Sequence, residues 1–500
     1  MLQWAERWRV LILVGAAALV AVGYNGQWRL GPDSAVHVIV ARSLAAGEGF
    51  VHPGGRQEEI EPGLAYVLGA VFAALGPDAM GVANAAMAAV AVLALLAAYA
   101  LMSVHGGRGL GALVVLLLAV NETFYRYAHQ LLADMPFLLG AVLALLGLEL
   151  GRRAGGAEAP HVHAGLRRGR VALALLCVAV GLGVMAAFRS VAVVFVAALG
   201  LAAVGRLMGL WCRGWWPRAV VVGVVALGAA LWLAKGGGTE GMDEHVIGVR
   251  LGAGLGATLR EAATVNLPRL LGEVTTESVL GVDMHPLLAA PLAVWVWLWC
   301  VGLGRARPVW GLLFAAFGAQ WLLFVVTDRY FLPLLPLVAL AWWRGAVWLS
   351  ARWGGGRGGA AWAMLAVAGV LWVVPNAVKE GDFVREQRAR PFVAHYEKGK
   401  YEPVVELGRW AQANTGRGAV FVTPEWMAEQ LTAVSGRWSM PAWRLPRASR
   451  WTGEAYALPT LPEEDLRRLR RRGWLAVSDE PYAAGVTRPP VPVLRLIPAE

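Results

Sequence analysis

The chain is poor in charge and in cysteine. Only 16% of its 500 residues are Asp, Glu, Lys or Arg, against 58% hydrophobic. A water-soluble domain has no way to bury that much apolar surface, so the composition excludes an ordinary soluble globular protein. Its three cysteines, Cys177, Cys212 and Cys300, are scattered, two in apolar runs and one in a basic loop, and no CxxC pair occurs. Neither a disulfide framework nor a thiolate metal site is implied. Zinc-finger spacing and interleaved basic and aromatic strips are also missing, so the net charge of +11 does not point to nucleic acid.

What the chain has is apolar runs. Twelve occur, near 10–24, 61–76, 82–104, 110–125, 131–149, 171–188, 190–205, 219–234, 286–304, 309–327, 330–347 and 360–377. Each approaches the ~20 residues that a bilayer-crossing helix needs. The first follows Arg7 and Arg9 and reads as an uncleaved first helix rather than a signal peptide. Arginines cluster in five loops, around Arg108, Arg152, Arg206, Arg305 and Arg344, each two apolar runs from the next. Basic loops stay in the cytoplasm, so all five share that side. Three runs lie between the basic N-terminus and Arg108, which is one too many or too few for that parity. The weakest, 61–76, opens with Pro62-Gly63 and is read as a re-entrant or interfacial helix on the outer side. The competing reading makes 61–76 a span and 82–104 a hairpin.

The expected architecture is therefore a polytopic α-helical membrane protein with about eleven spans, one juxtamembrane re-entrant helix and a small C-terminal α/β domain outside. The transmembrane domain covers 1–378 and includes an outer loop at 25–60; the outer domain covers 379–500. The tail carries short β-like runs, GAVFVT, WLAVSD and VPVLRLI, and a basic helix, EEDLRRLRRRG. The parity puts 25–60, 121–134, Arg189, 235–285, Thr327–Tyr330 and the tail on the outer face. A loop at 152–170 contains His161 and His163, which read as solvated residues rather than a metal site.

Most polar residues that flank apolar runs fall in those outer segments. Asp33 follows Pro32 at the start of a half-apolar stretch, where it can cap a helix lying in the interface. Asp134 sits at the mouth of a long apolar run, where a carboxylate is costly. Arg189 and Ser190 separate two apolar runs with almost no loop, and Asp328-Arg329 repeats the theme. Glu58, Glu59 and Glu61 form an acidic group before the re-entrant run; it is read as solvated, or as holding a cation or an acceptor. Carboxylates and arginines gathered at outer helix ends suit a reaction in which a base removes a hydroxyl proton while a leaving phosphate gains charge.

Three stretches, PDSAVHVIVARSLAAGEGF, HQLLADMPFLLGAVLAL and DRYFLPLLPLVAL, together with ELGRWAQANTGRGAVFVTPEWMAEQLTAVSGRWSMPAW in the tail, resemble the GT-C membrane glycosyltransferases that use polyprenyl-phosphate sugars. That family includes protein O-mannosyltransferases, aminoarabinose transferases of lipid A and bacterial RgtA/B/C/D-like enzymes. The resemblance implies an inverting transferase in the bacterial inner membrane, multi-pass, with its active site on the extracytoplasmic side. Asp33 would be the catalytic base and Asp134 would assist it. Arg329 and Tyr330, with Arg189 second, would bind the donor phosphate, and Glu59, Glu61 and His37 would meet the acceptor or a cation. The implied partners are a polyprenyl-phosphate sugar, an acceptor lipid, glycan or protein, and membrane lipids, with no nucleic acid. Many relatives have Asp-Glu where this chain has Asp33-Ser34, a Tyr in place of His37, and Pro-Pro in place of Glu61-Pro62. The missing second carboxylate leaves metal use unknown, so a divalent metal stays open as the cofactor. Two other classes compete. A lipid-linked-sugar flippase would need polar residues at mid-depth, where these spans are Ala-rich. A degenerate scaffold would fit the Asp33-Ser34 departure.

Overall fold

The computed structural model describes residues 1–52, 56–57, 60–155, 164–207, 255–271, 275–281, 286–305, 307–323, 328–353, 358–389, 402–416, 418–442, 444–445, 447, 454–458, 461–477 and 493–498. The run at 219–234, the loop at 235–254, Cys212, Glu58, Glu59, His161 and His163 lie outside the described residues. In chain order the principal helices are α1 (Arg9–Val22), α2 (Pro32–Ala45), α3 (Pro62–Leu75), α4 (Met80–Gly106), α5 (Arg108–Ala119), α6 (Glu122–Ala128), α7 (Asp134–Gly155) and α8 (Ala164–Phe188). They continue as α9 (Ala192–Leu207), α10 (Pro286–Gly302), α11 (Pro308–Leu323), α12 (Leu335–Trp353), α13 (Gly358–Ala389), α14 (Glu402–Asn414), α15 (Glu425–Ser435) and α16 (Glu463–Arg471). The strands are β1 (Val51–His52), β2 (Arg56–Gln57), β3 (Val420–Val422), β4 (Trp438–Met440), β5 (Ala455–Ala457), β6 (Trp474–Val477) and β7 (Leu494–Pro498).

The protein is a multi-pass membrane protein. Among the described residues, five helical stretches are long and apolar enough to cross a bilayer: Met80–Gly106, Asp134–Ala154, Gly169–Phe188, Arg329–Arg352 and Trp362–Glu386. A sixth arises if α5 and α6, bent by 72°, count as one span. The expected eleven are not established, because five further apolar helices of 10–17 residues fall short of a straight span. Two of the sequence readings concern residues 61–106. The α3 helix has 14 residues, roughly 21 Å, which is too short to cross a ~30 Å core. The α4 helix is continuous over 27 residues, about 40 Å, so the hairpin reading of 82–104 is wrong.

The chain forms two compact units. The first contains residues 1–24, 86–129 and 133–384, and the second 25–85, 130–132 and 385–500. The segment after α1 thus belongs to the same unit as the tail.

In the first unit, α7 and α8 pack so closely that their backbones nearly touch. A Cβ at Gly181 would lie 2.6 Å from the Gly140 carbonyl, and one at Gly147 would lie 2.5 Å from the Ala174 carbonyl. Without water there is little hydrophobic drive between apolar helices, so small residues that allow dispersion contact hold such pairs together. Asn376, fully buried in α13, accepts from the Glu122 backbone N–H at 2.9 Å and donates to the Val279 carbonyl at 3.1 Å. It thereby satisfies the Glu122 N–H freed at the bend between α5 and α6 and ties it to the Val279 segment.

The second unit holds a five-stranded mixed sheet in the order β4-β3-β5-β7-β6. Strand β3 runs parallel to β4 and β5, whereas β7 is antiparallel to β5 and β6. Val420, Val422, Met440, Leu461, Leu469 and Trp474 form its core, matching the small α/β domain expected of the tail. The α2 helix lies against both α3 and α15. Gly69 lets α3 approach α2, since a Cβ there would sit 3.2 Å from Leu44. Arg42 joins three segments: it donates to the Pro77 carbonyl at 3.1 Å, meets Asp78 at 3.2 Å and hydrogen-bonds the Ala433 carbonyl. Burial pushes the Arg42 guanidinium below its ordinary value, and Asp78 partly offsets this.

Candidate functional site

Three segments far apart in sequence supply one polar cluster in the first unit. Asp134 opens α7, where a carboxylate in the first turn is favoured by the exposed N–H groups of the helix. Pro136 two residues later costs nothing, because first-turn N–H groups have no partner within the helix. Arg189 stands in the tight turn between α8 and α9. Arg329 and Tyr330 lie in a 3-10 turn, Asp328–Leu334, that leads into α12.

Arg189 Nη2 donates to both oxygens of Asp134, at 2.7 Å to Oδ1 and 2.6 Å to Oδ2. Asp134 is buried and Arg189 nearly so, with side-chain exposures of 5% and 14%. Burial works against the Arg189 charge, but the Asp134 carboxylate outweighs it and holds the guanidinium above its ordinary value. The nearby Arg329 acts in the opposite sense. The Tyr330 ring is shared by the two arginines: Arg189 Cζ is 5.8 Å from its centroid and Arg329 Cζ 5.4 Å. The ring face attracts both cations and keeps two like charges within reach of one point. The Arg189 Nε is buried and has no hydrogen-bond partner among the described residues. Two guanidinium groups and one carboxylate around a phenol can bind an anionic oxygen group.

The other expected site residues lie in the second unit. Asp33 is the second residue of α2 and is exposed. Its expected role as helix cap is wrong. Gly31 occupies the cap position, and Ser34 Oγ accepts from the Gly31 N–H at 3.0 Å. Ser34 is 2% exposed, and its hydroxyl also accepts from Trp28 Nε1 at 3.3 Å. Position 34, next to Asp33, is therefore filled by a buried hydroxyl that holds the start of α2 together. His37 is buried one turn further along α2, and Glu61 occupies the cap position of α3. Glu59 lies outside the described residues. No group of three or more His, Cys, Asp or Glu suited to a metal ion occurs among the described residues.

Sequence reasoning passed over a second polar cluster, formed by His105, Glu149, Arg307 and Arg344. Its one cue was Glu149 at the end of an apolar run, just before Arg152 and Arg153. It also passed over the glycine contacts of α7 and α8, although small residues recur at Gly140, Ala144 and Gly147.

No protein-family model matches the chain, and no curated protein matches it in sequence. Solved structures do. The fold is that of the GT-C membrane glycosyltransferases. ArnT from Cupriavidus metallidurans, solved bound to undecaprenyl phosphate, superposes with a TM-score of 0.54 at 15% identity over 98% of each chain. The archaeal oligosaccharyltransferase AglB from Archaeoglobus fulgidus, solved with an inhibitory peptide and a dolichol-phosphate, superposes with a TM-score of 0.51 at 13% identity. That match covers 87% of this chain and 64% of AglB, so the chain spans less than two thirds of the archaeal protein.

Proposed function

We propose that the protein is a glycosyltransferase that moves a sugar from a polyprenyl-phosphate donor to an acceptor hydroxyl at the outer face of the bacterial inner membrane. The observation that carries this reading is the convergence of Asp134, Arg189, Arg329 and Tyr330 in a fold shared with two proteins solved with a polyprenyl phosphate.

In this mechanism Asp33 takes the proton of the acceptor hydroxyl. The freed oxygen attacks the anomeric carbon from the face opposite the donor phosphate, and the bond from that carbon to the phosphate oxygen breaks. The anomeric configuration inverts and polyprenyl phosphate departs with the bonding electrons. Its growing charge is met by Arg329 and by Arg189, with Tyr330 holding both cations near one point. Asp134 assists by orienting Arg189. Glu59, Glu61 and His37 receive the acceptor or a cation, and the C-terminal domain helps select the acceptor.

The test uses purified full-length protein in detergent with a radiolabelled polyprenyl-phosphate sugar and candidate acceptors drawn from envelope lipids, glycans and peptides. Transfer by the native chain and its loss in Asp33→Asn, with insertion and thermal unfolding unchanged, is the expected result. An Asp33→Asn variant with full transfer would refute the assigned base. A native chain that moves intact lipid-linked sugar between leaflets without breaking the phosphate bond would replace the reading with a flippase.

A further inference from the structure

The second polar cluster lies at the other end of the helices that carry the first. Asp134 opens α7 and Glu149 lies near its C-terminus, so roughly 22 Å of helix separates them. The fourteen residues between, Met135 to Leu148, are all uncharged. The two clusters therefore mark two polar boundaries with an apolar layer between them.

Glu149 is 3% exposed. It accepts from Arg152 Nε at 3.2 Å and from Arg307 Nε, whose segment joins α10 to α11. Arg344, on α12, points Nη2 at His105 Nε2, 2.8 Å away. A guanidinium can only donate, so the imidazole nitrogen accepts and brings no countercharge. The His105 ring is fixed by Trp310, with centroids 4.5 Å apart. Three arginines thus share one carboxylate among these side chains, and the charge reaches the surface: the Arg152 side chain is 45% exposed and that of Arg307 23%.

Beside this cluster stands an apolar aromatic wall. Trp348 follows Arg344 by one turn on the same face of α12, and it is 48% exposed. Its ring lies 6.0 Å from Trp295 and 5.9 Å from Trp299. Gly345 makes room for both, since a Cβ there would meet Trp299 at 3.0 Å and Trp295 at 3.2 Å. Leu298 adds an exposed aliphatic side chain from α10.

We propose that this end of the bundle is a binding site for one anionic phospholipid, with the headgroup phosphate on Arg344, Arg307 and Arg152 and an acyl chain along Trp348, Trp295 and Trp299. A small free anion would use only the arginines. The adjoining tryptophans favour a ligand that is charged at one end and apolar along the other. The site is independent of the proposed transfer reaction.

The test is native mass spectrometry of the purified full-length protein titrated with phosphatidylglycerol and, separately, phosphatidylcholine. Phosphatidylglycerol is retained several-fold better by the native chain. Arg344→Gln, which leaves the Glu149 pairs in place, weakens that retention roughly fivefold and leaves phosphatidylcholine unchanged, as the loss of one near-surface arginine requires. Arg344→Lys restores most of it, and Trp348→Ala weakens both lipids. Should Arg344→Gln fail to fold, Arg152→Gln at the exposed rim carries the same expectation. Equal retention of the two lipids, or an Arg344→Gln variant that folds and binds like the native chain, overturns the proposal. Displacement of the lipid by millimolar inorganic phosphate also overturns it and assigns the arginines to a small anion.

Discussion

Arg189 holds Asp134 through a single nitrogen, Nη2, which lies within 2.7 Å of both carboxylate oxygens. A fork-to-fork pair would use two nitrogens and commit the guanidinium. Here Nε stays buried with no hydrogen-bond partner among the described residues, so the arginine retains a donor for a second anion.

Removing one member of this pair strands the other. Arg189→Ala leaves Asp134, 5% exposed at its side chain, without its cation and lowers stability by about 3–5 kcal/mol. Arg189→Ala combined with Asp134→Ala recovers much of that loss. Thermal unfolding of the two single variants and the double variant in one detergent measures the coupling; simple additivity would mean the pair contributes nothing.

The two arginines on Tyr330 differ in what they do. Arg329→Ala lowers transfer from a polyprenyl-phosphate sugar about 100-fold, as loss of a donor aimed at developing charge does. Most of that effect appears against the lipid-linked donor rather than the acceptor. Steady-state kinetics with each substrate varied in turn checks it.

The α7–α8 contact sets the position of Arg189, eight residues after Gly181. Gly181→Val forces a side chain into the Gly140 carbonyl and the Ala144 backbone, where even a Cβ would lie 2.6 Å and 2.5 Å away. Overpacking of this kind costs about 1–3 kcal/mol. It also shifts Arg189 from Asp134, so transfer falls although no site residue has changed. Gly183→Val is the control, since nothing lies within 4 Å of a Cβ there; its activity and melting temperature stay near those of the native chain.

Ser34→Ala deprives the Gly31 N–H and Trp28 Nε1 of a buried acceptor and costs about 1–3 kcal/mol. The measurement is limited proteolysis and thermal unfolding, with cleavage expected first in the 25–31 segment.

Much of this layout is legible in the sequence because charge is scarce in it. Asp134, Arg189 and Arg329 stand out at the ends of apolar runs, where a charge is costly and so needs a partner or a task. The Asp134–Arg189 pair spans 55 residues of chain, yet both members are visible one at a time. Glu149 and Arg307 are harder to see, because the carboxylate looks like the ordinary end of a span and its partner lies 158 residues away. The small sheet of the tail could be anticipated from short β-branched runs, but not its mixed pairing, since register and direction arise from contacts between strands rather than within them. The span count exceeds what the helices establish because apolar composition marks burial as readily as crossing. Several apolar runs form helices of at most 17 residues.

Ser34 limits what residues 28–34 can accept. A carboxylate at that position would have to lie buried against the Trp28 indole, so a single substitution does not place a stable acidic pair at positions 33 and 34. An engineered variant that carries such a pair must also rebuild residues 28–31, where Trp28 and Gly31 lose their shared acceptor.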